Sequence, residues 1–199
     1  MNPTRPAAAA PLLPPRPTAL AHGILRGCVR HGDLVIDATA GNGHDTVFLA
    51  EGVGAEGQVL AFDVQPEAMA ATRARLATAG LQARVEFFLE SHAFMGTRAA
   101  VGSVAVVMFN LGYLPGNTHE LITEPGGTLE GLICAMGLLK PGGMLTAVCY
   151  PGHPGGAAEA AAVEHWFAAL AARDWRVARY GAIATRRPAP FLLLGRKPA

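Results

Sequence analysis

One stretch, D-A-T-A-G-N-G-H-D from Asp37 to Asp45, combines two acids with two turn glycines. Gly41 and Gly43 let the backbone turn tightly and come close to a ligand. The spacing is not G-x-G-x-x-G, because Thr46 occupies the third glycine's place and Asp45 stands just before it. An acid there repels a pyrophosphate but attracts a cationic sulfonium that carries an amino group. Asp37 suits the same amino-acid-bearing ligand, or else caps the turn. Asp63, ending the run V-L-A-F-D, is placed to accept both hydroxyls of a ribose, with Gln65 beside it for the adenosine. That acid alone does not separate NAD from S-adenosylmethionine, since both offer a ribose diol.

Three more segments offer chemistry. Ser91-His92 follows a third apolar run, where it either meets an adenine or, for the histidine, serves the core. F-N-L-G-Y-L-P-G resembles the N-P-P-Y loop of amino-group methyltransferases without matching it. A sulfonium is already a strong electrophile, so the protein need only hold a nucleophile in line with the methyl. The Asn110 carboxamide can accept a hydrogen bond from an amine, and Tyr113 can stack on a flat base. No cysteine lies in this loop, which disfavours a cysteine nucleophile attacking a pyrimidine carbon. Y-P-G-H puts Tyr150 and His153 on the opposite wall; His153 either takes a proton, binds a phosphate or merely shapes its loop. Seven of the sixteen basic residues fall in the last 27 positions, against Asp174 as the one acid. Arg186 and Arg187 among them either track an RNA backbone or form a solvated face.

The elements must bring these residues to one place. Apolar runs at residues 34–37, 59–63, 84–89, 104–109 and 144–149 read as strands, each ending in a polar residue or followed directly by one. Between them, residues 44–50, 66–79 and 128–139 read as helices, after a first helix over 18–28 with Thr18 as its cap. A long helix over 157–172 carries Val163, Trp166, Phe167 and Leu170 at core spacing. Lys140-Pro141-Gly142-Gly143 should stop the helix over 128–139. Two last strands, 175–183 and 191–194, have only a short loop between them and should pair antiparallel. Alternating strands and helices mean an α/β fold with a mostly parallel seven-stranded sheet covered on both faces. Closed by such a hairpin, this is the Rossmann-like layout of class I methyltransferases and differs from an NAD domain. Ligands of open α/β sheets bind beyond the carboxyl ends of the strands, where these polar residues gather.

Composition narrows the partners. The chain has 199 residues, 51% of them apolar, and a net charge of +1, so nucleic acid is not gripped by global charge. Its three cysteines and seven histidines are scattered, which argues against a disulfide scaffold and against a metal site. The scattered cysteines point to a reducing cytoplasm, and with no apolar run as long as a membrane helix no membrane contact is expected. Prolines crowd residues 1–17, which read as a disordered tail rather than a secretory signal, leaving one domain over 18–199.

D-A-T-A-G-N-G-H-D-T, F-D-V-Q, S-H, F-N-L-G-Y-L-P-G, L-K-P-G-G and Y-P-G-H-P-G-G together resemble the rRNA methylase family of small bacterial class I methyltransferases. The similarity runs from about Thr18 to Lys197. The family includes enzymes that methylate 5-aminomethyl-2-thiouridine at the tRNA wobble position, so the resemblance implies S-adenosylmethionine as cofactor and RNA, the tRNA anticodon region, as partner. It implies that Asn42, Asp45, Asp63, Gln65, Ser91 and His92 hold cofactor, with Asp37, Thr39, Gly41, Gly43, Thr46 and Asn110 completing that set. Asn110 and Tyr113 would be catalytic, and Tyr113, Tyr150, His153, Arg186 and Arg187 would face substrate. One departure stands out. The last hairpin carries A-T-R-R-P-A-P where the family has an N-Q-x-N-x-P-P-like stretch, so charge replaces amides or the substrate differs. The alternatives are an rRNA base or small-molecule amine as substrate and, from another class, an NAD-binding oxidoreductase or a non-catalytic cofactor module. A homodimer would enlarge the RNA footprint.

Overall fold

Short apolar strands with few polar side chains are stable only when both sheet faces are covered, and the chain supplies helices for both. The computed structural model describes residues 14–112 and 125–199. Most of the tail expected over 1–17, together with Tyr113, lies outside the described residues.

The strands are β1 Leu34–Asp37, β2 Gln58–Asp63, β3 Val85–Leu89, β4 Val104–Leu111, β5 Leu139–Cys149, β6 Arg176–Gly181 and β7 Phe191–Arg196. They form one sheet in the order β3-β2-β1-β4-β5-β7-β6. The first five run parallel, and β7 inserts antiparallel between β5 and β6. The sequence-based layout therefore holds, including the closing hairpin. Because Phe191 pairs with Cys149, the loop between β6 and β7 turns at the edge where the parallel strands end.

Helices α1 Pro17–Leu25, α2 His44–Val53 and α3 Pro66–Ala79 cover one face; α4 Pro125–Leu138 and α5 Gly156–Leu170 cover the other. Each turns an apolar stripe inward: Val163, Phe167 and Leu170 of α5 are buried, with Trp166 half-buried against them. In α3 the stripe is Ala68, Met69, Thr72 and Leu76, and Gly80 ends the helix in the left-handed conformation. Strand β4, between β1 and β5, is buried almost throughout.

Several boundaries differ from those read in the sequence. Thr18 is not the cap of α1: Arg16 is, and Pro17 fills the first turn, where a proline's missing N–H costs nothing. That helix ends at Leu25, three residues early. Strand β5 begins at Leu139, before the Lys-Pro-Gly-Gly segment, not after it. Leu139 already pairs with Val104, and the extra residues leave the ladder until Met144 meets Val106, with Gly142 turning at φ +73°. The Lys140 ammonium crosses to Asp33 at 2.6 Å, tying this excursion to the start of β1.

A buried polar contact joins the two covering helices. Thr128 Oγ1 of α4 donates to Glu159 Oε1 of α5 at 2.7 Å, and both side chains are buried. Thr128→Val should cost about 2–3 kcal/mol in urea unfolding, because it strands a buried carboxylate without this donor. An unchanged midpoint would show that the carboxylate finds another partner. Among the described residues no helix is long and apolar enough to cross a membrane.

Candidate functional site

Chain order reverses between β1 and β4, so the two strands open a crevice at their carboxyl ends. The D-A-T-A-G-N-G turn fills that crevice. Its backbone is tied to both neighbouring strands, Ala38 N–H donating to Met108 and Ala40 N–H to Phe62. Gly43 sits at φ +78°, and a Cβ on it would lie 2.8 Å from Thr72 Cα of α3. Thr72 Oγ1 also donates to the Gly41 carbonyl at 3.0 Å. Gly43→Ala should therefore lose about 2–3 kcal/mol, from a left-handed non-glycine residue plus overlap with helix backbone. Thermal unfolding checks this; a wild-type midpoint would mean the turn relaxes freely.

Three carboxylates surround the turn. Asp37 is fully buried, accepting from Thr39 N–H at 3.1 Å and from the Thr46 hydroxyl at 2.6 Å. Burial, then the Asp45 carboxylate, pushes its pKa up to about 7, with Asp63 adding to the rise; the Thr46 and Thr39 bonds pull the other way. Asp63 accepts from Gly41 N–H at 2.8 Å and Gln65 N–H at 3.0 Å. Asp45, also buried, contacts His22 Nε2 at 2.6 Å and accepts from Asn110 Nδ2 at 3.1 Å.

The remaining residues take distinct places. Asn110 lies inside β4, one residue before its end, with its N–H donating to Thr39 Oγ1 at 2.7 Å. Thr46 is sealed beneath the turn as a support for Asp37, not on its open side. Asn42 is exposed, and its carbonyl accepts from Arg75 Nε. Ser91 caps the short 3-10 turn His92–Thr97 by accepting from Ala93 N–H. The His92 ring turns inward: Nδ1 lies 3.2 Å from the Ala38 carbonyl, and the ring meets Phe109 edge-on. Burial lowers its pKa, so it stays a neutral prop of the β1 turn.

On the far wall Tyr150 is half-buried beside Gly112, and burial followed by the Asp45 charge raises its pKa. His153 is half-buried, with Nδ1 2.9 Å from the Pro154 carbonyl. Arg186 and Arg187 are exposed in the β6–β7 loop, which reaches this wall where a methyl on Gly152 would lie 3.4 Å from the Pro188 carbonyl. Cys149, at the end of β5, is buried, which pushes its thiol up to about 12 and leaves it inert. A shallow hollow lined by Arg26, Arg30, His31, Phe48 and Glu51 lies toward the C-terminal end of α2. No group of histidines, cysteines and acids suited to a metal ion occurs among the described residues.

Two residues of the site had no role in the sequence reading. Thr72 was detectable as the polar member of the Ala68–Leu76 buried stripe. His22 was not, since nothing local in the sequence connects it with Asp45.

Comparison with known proteins agrees with this architecture. A family model for the rRNA methylases matches residues 59–196. The chain is 38% identical to the chloroplastic tRNA (mnm5s2U34)-methyltransferase of Arabidopsis thaliana over 88% of its own length and 67% of that protein's. An rRNA methylase structure from Clostridium thermocellum is 36% identical, with a TM-score of 0.87 over 92% of this chain and 97% of that one. A Streptococcus mutans methyltransferase in complex with SAH is 32% identical, with a TM-score of 0.82 over 92% and 98% of the two chains. The strand order, the acidic turn at the switch point and these similarities converge: this chain has the class I methyltransferase fold and belongs to the rRNA methylase family.

Proposed function

We propose that this protein uses S-adenosylmethionine to methylate RNA, and that its target is the aminomethyl nitrogen of 5-aminomethyl-2-thiouridine at the tRNA wobble position. The observation that carries the cofactor reading is the acidic crevice itself. Three carboxylates lie around one glycine turn, and two of them raise the pKa of the third. Such a cluster favours a ligand bearing positive charge over a pyrophosphate. The donor set therefore fits a sulfonium with an amino acid tail and a ribose.

In this reading Asp63 holds the ribose, with Gln65 beside it. The open side of the Thr39–Gly43 turn cradles the amino acid end, and Asp45 lends its charge. Asp37 and Thr46 act from below, through charge and through the shape of the turn. Ser91 and His92 border the adenine by their backbone, the imidazole being engaged beneath. When bound, S-adenosylmethionine supplies an electrophilic methyl group. The chain's own task is to aim an amine lone pair, for which Asn110 offers a carbonyl oxygen as acceptor. Methylation of a neutral primary amine yields a secondary ammonium, which then sheds one proton to solvent. Tyr150 and Tyr113 border the base, while His153, Arg186 and Arg187 meet the RNA backbone from loops at the same edge.

The amine target rests on the 38% identical Arabidopsis enzyme and on a carboxamide, not a cysteine, at the end of β4. The test uses labelled S-adenosylmethionine and bulk tRNA from cells lacking the gene, followed by digestion to nucleosides. Label should appear in 5-methylaminomethyl-2-thiouridine. Label only in rRNA or in small amines would overturn the wobble-uridine reading while keeping the cofactor.

A further inference from the structure

Helix α1 brings to the crevice a side chain for which the proposed reaction has so far given no task. His22 Nε2 lies 2.6 Å from Asp45 Oδ1, and the Asn110 amide lies 3.1 Å from Asp45 Oδ2. A carboxylate only accepts hydrogen bonds, so the end of the Asn110 carboxamide facing it is the NH2. That contact decides which way the amide is turned and leaves its carbonyl oxygen on the other side. The direction matters for an amine nucleophile. Its N–H groups need an acceptor, and a reversed amide would confront them with two more donors.

The His22 ring is itself held in place. It lies flat on Phe48, with ring centroids 4.0 Å apart and 5° between the planes, and its side chain is only 21% exposed. Arg26, the residue just past the end of α1, stands over the same Phe48 ring. Both faces of the contact are thus built: an aromatic platform orients the imidazole, and the imidazole orients the carboxylate.

We infer that His22 is a positioning residue, which holds Asp45 so that the Asn110 carboxamide keeps its oxygen toward the incoming amine. This rests on the amine-methylation reading above. The line His22–Asp45–Asn110 runs through α1, α2 and β4, so an element outside the glycine turn sets the orientation of the nucleophile's acceptor.

His22→Phe keeps a ring on Phe48 but removes the N–H, whereas His22→Gln restores a donor at similar reach. Both are compared with wild type by tRNA turnover, by calorimetric binding of S-adenosylhomocysteine, and by the side-chain amide signal of Asn110 in a nitrogen-15 spectrum. His22→Phe should lower kcat about tenfold or more, with KM and ligand affinity near wild type and the Asn110 amide pair shifted. His22→Gln should recover most of kcat and return the amide signal. Wild-type kcat with an unmoved Asn110 signal in His22→Phe would overturn the inference. A loss of ligand affinity in step with kcat would also overturn it, by assigning His22 to the cofactor. Should the phenylalanine variant fail to fold, His22→Leu takes its place. If wild type methylates no tRNA, the substrate reading fails by itself, and the amide signal still decides whether His22 orients Asn110.

Discussion

Asn110→Ala is expected to lower methyl transfer by about 10²- to 10³-fold while leaving cofactor affinity within a few-fold of wild type. The side chain it removes is the carboxamide held by Asp45, which in the proposed reaction aims the amine. The backbone contribution survives, because the link to Thr39 Oγ1 comes from the Asn110 N–H and is untouched by the substitution. The turn that cradles the cofactor should therefore keep its shape. Single-turnover transfer to tRNA, read beside calorimetric binding of S-adenosylhomocysteine, separates the two effects. Equal losses in transfer and binding would assign Asn110 to the cofactor alone, and unchanged transfer would remove it from the chemistry.

Asp37 should make folding stability fall as pH rises from about 4 to 7. Its folded-state pKa stands near 7 against the usual 3.8, so the folded protein retains a proton that the unfolded chain has released. The contribution is fully present below 3.8 and is lost as pH climbs through 7, a change on the order of 4 kcal/mol. Asp37→Asn lacks a titrating group there, and the Thr46 hydroxyl can reverse its role and accept from the new amide. His92 tilts stability the other way below about pH 6.5, because its buried ring resists protonation. Comparing urea unfolding of wild type and Asp37→Asn at several pH values cancels that term. Parallel pH profiles would refute the assignment. The same linkage reaches the ligand: a cation at the turn favours ionised Asp37, so binding should release protons below pH 7. Affinity should then rise by at most about tenfold per pH unit toward neutrality.

Much of this architecture is legible in the chain. Each parallel strand is a run of apolar residues that only a sheet covered on both faces can bury, and the last two runs are too close in sequence for a crossover helix. The acids at the ends of β1 and β2 mark the ligand edge, because a parallel sheet brings all its carboxyl ends together. The boundaries were less legible. Lys-Pro-Gly-Gly reads locally as a stop, yet Leu139 before it already belongs to β5, since pairing with Val104 outweighs the local turn preference.

The site divides along the same line. The residue types and spacings of the turn determined that its ligand must tolerate acids and approach a backbone. They could not determine which acid faces outward. Packing decided that Asp37 lies beneath the turn with its proton held near neutral pH, that Thr46 supports it, and that the His92 ring serves the core. Packing alone also placed His22 against Asp45, across 23 residues of chain. Sequence patterns report which side chains seek burial. Which polar atoms then meet depends on how α1 and α2 settle on one sheet face, a long-range outcome that local spacing does not encode.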